Sequence, residues 1–403
     1  MKKILALLLA FCMVFGLVAC GGSTEETEAA TEAATEAATE AATEAATLPA
    51  ETEAAVEAAG MKVAMITDYG DITDQSFNQT TYEAGKAWCD ENGVEYSYYK
   101  PAGDSDAERV AMIDAAVADG YNVILLPGFA FANAIAMTCE MYPDVTYIAL
   151  DVAEFDLISA GLETLPANVF SAVYQEELSG YMAGYAAVKL GYKHLGYLGG
   201  MAVPAVLRFG YGFLQGIDAA ATELGVAEEI TVEWAFGNQF FGDADITAVM
   251  DTWYGEKAVE CVFACGGGIY SSAAEAAAKV GGKVIGVDVD QAAIIDGQYG
   301  EGMTVTSAMK GLAPTVKALL SEVAAGNFAN YGGQVMNMGL VSETPADNYV
   351  QLAPSTQFEE GKFTEADYNA MVADMYNGVI VVNNAIDAMP EVTFTVNEYP
   401  NIK

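Results

Sequence analysis

From residue 61 onward, the apolar and polar positions of the chain follow the pattern of alternating strands and helices. Short runs of consecutive apolar residues, typical of strands buried on both faces, alternate with longer segments whose apolar positions recur at helical spacing. This alternation predicts βαβ units built on parallel sheets. The first series predicts strands at 61–67, 94–100, 123–127 and 145–150, and helices at 77–92, 106–119 and 131–141.

The same alternation begins again near residue 169, which indicates a second lobe. Here strands are predicted at 169–174, 194–198, 230–235, 261–264 and 284–287, and helices at 177–190, 204–224, 243–254 and 270–280. We therefore predict an α/β fold of two doubly wound parallel-sheet lobes, with a ligand cleft between them where the strands end. We expect lobe 1 to contain residues 61–168 and about 290–330, and lobe 2 to contain residues 169–289 and about 331–403.

The first twenty residues indicate the compartment. Lys2 and Lys3 precede an apolar run at 4–18 that is short for a membrane span, which is typical of a secretory signal peptide covering residues 1–19. Its end, LVAC, resembles the bacterial lipobox, and this resemblance implies cleavage before Cys20 and attachment of diacylglycerol to its sulfur. A plain signal peptide with an accidental cysteine is the alternative. The acyl chains would hold the protein at the extracytoplasmic face of the cell membrane.

Residues 20–60 form the lipidated N-terminus and a predicted disordered tether. Thr, Glu and Ala dominate this segment, and the unit TEAA repeats from Thr27 to Thr47. Glutamates four residues apart would stack like charges on one face of a helix, and no apolar stripe is present that could pack on a partner. We predict a self-repelling, extended spacer. A segment that binds a specific partner is the alternative.

The composition excludes several classes of function. The chain has 16 Lys and Arg against 56 Asp and Glu, a formal charge of −40, so it lacks the basic face that a nucleic-acid binder needs. A single histidine, no CxxC pair and no P-loop leave little basis for a metal site, a cofactor or a catalytic triad. We therefore expect no metal, no cofactor and no enzyme activity. The cysteines beyond residue 20 are expected to be buried free thiols: Cys89, Cys139, Cys261 and Cys265.

Six segments resemble, in order, the motifs of the basic membrane protein (BMP) family. The members of this family are substrate-binding lipoproteins of ABC importers, and those characterised bind purine nucleosides. The likeness covers roughly residues 61–330, and the order of the segments makes it more specific than any one of them. The segments are TDYGDITDQSFNQ at 67–79, YIALD at 147–151, ELSGYMAGY at 177–185, LGGM with a later P and RF at 198–209, IGVDVDQ at 285–291 and TSAMK at 306–310.

The resemblance implies a fold like that of type I periplasmic binding proteins. It also implies a lipid-anchored receptor that captures a purine nucleoside and delivers it to an ABC permease. Its partners would be the small-molecule ligand, the permease and the membrane, and we expect a monomer. A receptor of the same fold for a sugar or another small polar solute is the alternative. A surface nucleoside hydrolase would need clustered aspartates to hold calcium, whereas the acids here are dispersed over both lobes with a lysine among them.

The resemblance also assigns the polar contacts of the ligand. Asp68 and Asn78 would contact the edge of the base, and Asp151 would approach the ribose. Asp288 and Lys310 would bind the ribose hydroxyls, which suit charged acceptors and donors in a dry cleft.

Aromatic rings are expected to cover the faces of the base. Phe77, after the first strand, is the first candidate ring for stacking. Trp234 or Phe236, at the end of a second-lobe strand, would supply the opposing ring, and the sequence does not choose between them. Gly210 departs from the family, which usually has a glutamate there. The loss of a carboxylate from the cleft would change which hydroxyls are bound, or whether ribose is bound at all.

Overall fold

The computed structural model describes residues 46–49, 60–68 and 70–403. The predicted signal peptide, Cys20 and most of the tether lie outside the described residues, so those predictions stay predictions. Among the described helices, none combines the length and apolarity that crossing a membrane requires.

The strands lie at the places where the apolar runs predict them, with further strands near the C-terminus. They are β1 (Lys62–Ile66), β2 (Glu95–Tyr99), β3 (Val123–Pro127), β4 (Thr146–Leu150), β5 (Val169–Tyr174), β6 (His194–Gly199), β7 (Thr231–Phe236), β8 (Cys261–Cys265), β9 (Lys283–Asp288), β10 (Thr304–Lys310), β11 (Gln334–Met338), β12 (Val350–Leu352) and β13 (Thr395–Glu398).

Helices connect most successive strands, as βαβ units require. They are α1 (Phe77–Asn92), α2 (Asp106–Ala118), α3 (Ala132–Thr138), α4 (Glu154–Ser159), α5 (Glu176–Leu190), α6 (Pro204–Leu224), α7 (Ala244–Asp251), α8 (Tyr270–Val280), α9 (Ala292–Tyr299), α10 (Leu312–Ala324) and α11 (Glu365–Tyr376). Short 3-10 turns and one π-helical turn complete the regular structure.

Two sheets form the cores of two lobes. The first has the strand order β11-β5-β4-β3-β1-β2, and all its neighbours pair in parallel. The second has the order β12-β10-β9-β8-β6-β7-β13, in which only β12 is antiparallel to its neighbour. Central strands such as β3 and β8 are buried along their whole length, because helices cover both faces.

The predicted assignment of strands to lobes is wrong for three of them. We expected β5 and β11 in lobe 2 and β10 in lobe 1, but β5 and β11 pair with each other in the first sheet, and β10 pairs with β9 in the second. The chain therefore crosses between the lobes after β5, after β10 and again after β11. Alternating strands and helices look the same on either side of such a crossing, so the pattern does not reveal where it occurs.

Helix α10 follows a second-lobe strand but belongs to the first lobe. It packs against α1, where Trp88 Nε1 donates to Ser321 Oγ at 2.8 Å. Helix α5 follows a strand of the first lobe but packs along α6 of the second lobe. Both lobes are thus completed by segments distant in sequence.

Glycines allow α5 and α6 to approach very closely. A Cβ atom on Gly180 would lie 2.1 Å from the carbonyl oxygen of Phe209, and one on Gly212 would lie 2.0 Å from that of Glu177. Any side chain there would collide with backbone that cannot move aside. This contact brings the start of α5 next to residues 208–212 of α6, which helps to build the site.

The four cysteines of the described residues are buried and unpaired, in agreement with the expectation of free thiols. Cys261 and Cys265 occupy the two ends of β8.

Candidate functional site

A cavity lies between the lobes, where parallel strands of both sheets end. The empty space between its walls is about 710 Å³, which includes space open to solvent. Residues after β1, β3 and β4 line it from the first lobe, and the ends of β8, β9 and β10 line it from the second. The lining residues are Asp68, Gly70, Asp74, Phe77, Asn78, Gly128, Phe129, Asp151, Val203, Pro204, Ala205, Val206, Phe209, Phe240, Cys265, Gly266, Gly267, Val287, Asp288 and Lys310.

Lys310 is the electrostatic centre of the cavity. Its Nζ donates to Asp151 Oδ2 at 2.6 Å and to Glu176 Oε1 at 3.4 Å, and it lies 3.7 Å from Asp288 Oδ1. The same Nζ lies 4.6 Å from the ring centroid of Phe77, a cation–π distance. Burial lowers the pKa of Lys310, but the three carboxylates outweigh this effect and hold it well above its ordinary value. Lys310 is therefore a permanent cation.

Two of these carboxylates are on strained backbone. Asp151 has φ +62° and Asp288 has φ +66°, in the left-handed region that costs about 1–3 kcal/mol for a residue other than glycine. Each aspartate stands at the end of a strand and presents its carboxylate to Lys310. Burial raises the pKa of both, and Lys310 opposes that rise. Such backbone strain is typical of functional sites, where the direction of the side chain is maintained at the expense of local stability.

Glu176 extends the ion network away from the cavity. Its side chain is fully buried at the start of α5, and its Oε2 accepts from Arg208 Nε on α6 at 2.6 Å. The close approach of the two helices makes this pair possible. Each of these buried charges has an opposite charge within reach, as burial in a low-dielectric interior requires.

The N-terminus of α1 forms the other polar wall. Asp74 accepts from the backbone N–H groups of Ser76, Asn78 and Gln79 at 2.9–3.0 Å. Burial nevertheless raises the pKa of Asp74 to about 6. The amide of Asn78 donates through Nδ2 to Asp68 Oδ1 at 3.1 Å and to Asp74 Oδ2 at 3.2 Å. This wall is therefore built from carboxylates held by one amide.

Two hydrogen bonds join the lobes at the edge of the cavity. Ser76 Oγ donates to Asp288 Oδ2 at 2.5 Å. Gln291 Nε2 donates to the carbonyl oxygen of Gln75 at 3.0 Å, while its Oε1 accepts from Val287 N–H. These contacts link the first lobe directly to the second.

Two polar atoms of cavity-lining residues are buried without a hydrogen-bond partner among the described residues. They are Oδ1 of Asn78 and Oδ1 of Asp151. Buried acceptors are normally satisfied, so these two oxygens are exceptions beside the cavity.

The second aromatic wall differs from the predicted one. Neither Trp234 nor Phe236 lines the cavity. Trp234 is buried behind it and stacks on Tyr197 with ring centroids 4.1 Å apart, and Phe236 packs edge-on against both rings. Phe240, in the loop after β7, lines the cavity instead. The strand carries its aromatic residues into the core of its lobe, and only the following loop reaches the ligand space.

Gly210 faces the core rather than the cavity. A Cβ atom there would lie 2.4 Å from Trp234 Cη2 and 2.7 Å from Tyr197 Cζ. The expectation that this position removes a carboxylate from the cleft is therefore wrong, because the stacked rings of Trp234 and Tyr197 occupy the space that a side chain would need.

The other predicted site residues converge on the cavity: Asp68, Phe77, Asn78, Asp151, Asp288 and Lys310. The sequence analysis missed further residues of the cavity and its ion network: Asp74, Phe129, Glu176, Arg208, Phe209 and Phe240. Arg208 had a usable signal, since it is one of few cations in a strongly acidic chain.

Two lobes that enclose a cavity at the ends of parallel strands define the fold of type I periplasmic-binding-protein-like proteins. A solved ABC-transporter solute-binding protein from Aeropyrum pernix shares this fold with a TM-score of 0.61 at 20% identity, over 79% of this chain and 85% of its own. The predicted fold class is confirmed.

The chain belongs to the Bmp family of PnrA-like ABC transporter substrate-binding proteins, whose model matches residues 61–384. This confirms the resemblance, and the family is one of binding proteins rather than enzymes. The nucleoside-binding protein BmpA of Lactococcus lactis is 26% identical over 70% of this chain and 79% of its own length. Basic membrane protein B of Borreliella burgdorferi is 25% identical over 76% of this chain and 84% of its own.

Proposed function

We propose that this substrate-binding protein captures a purine nucleoside between its lobes and delivers it to the permease of an ABC importer. The observation that carries the proposal is the combination of flat aromatic side chains and a charged acceptor–donor set in one cavity. Phe77 and Phe240 line it together with the Asp151–Lys310–Asp288 group. The Lactococcus lactis relative, named as a nucleoside-binding protein, supports the same ligand class.

The chemistry of a nucleoside fits both parts of this site. Its base offers a flat π-face, and stacking on an aromatic side chain contributes about 1–3 kcal/mol. Its ribose offers vicinal hydroxyls, which can donate to Asp151 Oδ1 and Asp288 and accept from Lys310. Four aspartates and one lysine line the cavity, so a phosphorylated ligand would meet like charge. The proposed ligand is therefore the nucleoside and not the nucleotide.

The anchoring is proposed from the N-terminal sequence. Cleavage before Cys20 and its acylation would place the lobes at the extracytoplasmic face of the membrane, with the Thr/Glu/Ala-rich segment as a spacer. A monomer suffices, because one chain contributes all the residues of the cavity named above.

Titration calorimetry with adenosine, guanosine, ribose and free bases tests the ligand class. We expect nucleosides to bind and ribose alone to bind far more weakly. Mass spectrometry of small molecules released from freshly purified, denatured protein gives an independent readout. Absence of nucleoside binding at millimolar concentration, with binding of a sugar or another polar solute, would overturn the proposal.

A further inference from the structure

Residues near the end of the Thr/Glu/Ala-rich segment pack onto the first lobe. Leu48 is 5% exposed and lies in the largest cluster of buried apolar residues, although Thr, Glu and Ala dominate the segment around it. The backbone N–H of Ala46 donates to the carbonyl oxygen of Asn337 at 2.9 Å. Asn337 lies in β11, an edge strand of the first sheet, so this hydrogen bond satisfies an acceptor on the unpaired side of that strand.

Leu48 also lies at the place where the chain crosses between the lobes. Its backbone is hydrogen-bonded to the hydroxyl of Tyr349, the residue before β12. The backbone N–H of Tyr349 donates to the carbonyl oxygen of Gly339, which follows β11, at 3.0 Å. The backbone N–H of Gly311, which follows β10, donates to the carbonyl oxygen of Tyr349 at 2.6 Å. Tyr349 therefore joins the crossings after β10 and after β11.

The crossing after β5 belongs to the same cluster. The backbone N–H of Gln175 donates to the carbonyl oxygen of Met338, at the end of β11, at 3.0 Å. A Cβ atom on Gly339 would lie 1.7 Å from Gln175 Oε1, so these two crossings are in direct contact. We call Gln175, Gly311 and residues 339–349 the hinge, because the three crossings between the lobes lie side by side there.

We propose that residues 46–48 form a strap that attaches the predicted tether to the hinge and stabilises the hinge. The strap contacts β11 on one side of the last crossing and Tyr349 on the other, so it spans this crossing. A segment that binds one arrangement of the hinge more tightly than another shifts the lobes toward that arrangement. The tether would thus join the module at the hinge rather than at β1. The inference is independent of the proposed function, because no ligand contact enters it.

Hydrogen exchange on the full chain, measured by mass spectrometry with fragmentation to single residues, tests the docking without any substitution. The TEAA repeat provides the internal reference, after correction for intrinsic exchange rates. Because the burial of Leu48 and two hydrogen bonds hold the strap, residues 46–48 should exchange at least about tenfold more slowly than the repeat. Exchange of residues 46–48 at the rate of the repeat would overturn the inference.

Two variants test the link between the strap and the hinge. Leu48→Ala removes most of the buried side chain, so the amides of Gly311 and Tyr349 should exchange at least about threefold faster, while those of β8 keep their rates. Thr47→Ala, at the exposed neighbouring position, is the matched control and should change neither. Tyr349→Phe keeps the ring but removes the hydroxyl that contacts Leu48, and should speed the exchange of residues 46–48 by about threefold to tenfold.

The outcomes separate a strap on the hinge from a passive cover of the sheet edge. Unchanged exchange at Gly311 and Tyr349 in a Leu48→Ala protein whose residues 46–48 are released would overturn the link to the hinge. A uniform increase that includes β8 would show general destabilisation and would overturn it as well. Thermal melting shows whether each variant is folded, and the comparison with the repeat in the unaltered protein remains decisive if Leu48→Ala does not fold.

Discussion

Ser76 Oγ donates to Asp288 Oδ2 across the boundary between the two lobes, at 2.5 Å. The serine precedes α1 in the first lobe, and the aspartate ends β9 in the second. Asp288 also faces Lys310, so one carboxylate takes part in closing the lobes and in the proposed ribose contacts. We therefore expect Asp288 to couple the contact between the lobes to ligand binding, alongside the Lys310–Asp151 ion pair, which also joins the two lobes.

Ser76→Ala should weaken ligand binding although Ser76 is not among the lining residues. Loss of a hydrogen bond to a charged acceptor costs about 1.5–3 kcal/mol, and if most of this falls on the closed state the dissociation constant should rise about tenfold or more. Calorimetry measures the affinity, and small-angle scattering of the liganded protein measures closure. Ser76→Thr keeps the hydroxyl and is the matched control. Unchanged affinity in Ser76→Ala would show that the hydrogen bond does not contribute to closure.

Phe240→Ala should weaken nucleoside binding about as much as Phe77→Ala. Each removes one aromatic side chain from the cavity, at a cost of about 1–3 kcal/mol, or tenfold to about a hundredfold in affinity. Phe236→Leu is the control, because Phe236 packs against Trp234 and Tyr197 outside the cavity. Calorimetry with one nucleoside compares all three variants. A larger loss in Phe236→Leu than in Phe240→Ala would contradict the assignment of the second wall.

Asp74 should give the protein a measurable pH dependence. Burial raises its pKa to about 6, above the value of about 3.9 in an unfolded chain. The folded state then binds this proton more tightly than the unfolded state. The resulting stabilisation is complete below about pH 4 and is lost as the pH rises to about 6, a change of about 3 kcal/mol.

Urea unfolding of the wild type and Asp74→Asn between about pH 4 and pH 7 measures this effect. The variant loses hydrogen bonds at every pH, but it cannot ionise at this position. Its free energy of unfolding should therefore increase relative to that of the wild type as the pH rises. The other carboxylates are common to both proteins, so their ionisation largely cancels in this comparison. A difference independent of pH would mean that the pKa of Asp74 is not raised.

Cys20→Ala should abolish membrane retention. The substitution removes the sulfur that the lipobox resemblance identifies as the acylated atom. Membrane fractionation followed by immunoblotting compares the variant with wild type, and the neighbouring Ser23→Ala serves as a control. Equal retention of the variant and wild type would exclude the proposed anchor.

The sequence contained enough information for the architecture and for half of the site. Continuous apolar runs predicted buried parallel strands, and the family resemblance assigned Asp68, Asp151 and Asp288, near the ends of such strands, to a ligand site; all three line the cavity. This succeeds because parallel strands present their carboxyl ends on one edge of a sheet. The position of a polar residue after a strand is a local property, so a sequence reveals it.

The remaining features depend on contacts between distant segments. Glu176 and Arg208 are paired only because glycines let α5 and α6 pack closely, and local patterns do not show that two helices meet. Phe240 follows a strand rich in aromatic residues, and the strand alone does not reveal which ring passes beyond the core. The sheet that receives β10 is likewise decided by packing, since either lobe could accept an apolar strand of that length.

The three crossings between the lobes also impose an order on folding. The first sheet needs β11 to cover β5, and β11 emerges from synthesis only after β6 to β10, which belong to the other sheet. A nascent chain that ends after β5 presents Val169–Tyr174 as an unpaired edge strand, together with the face of α1 that α10 covers. Such an unpaired edge is prone to aggregate. Neither lobe can therefore mature alone, and the high sequence separation of these contacts predicts slow, late and cooperative folding of the two lobes.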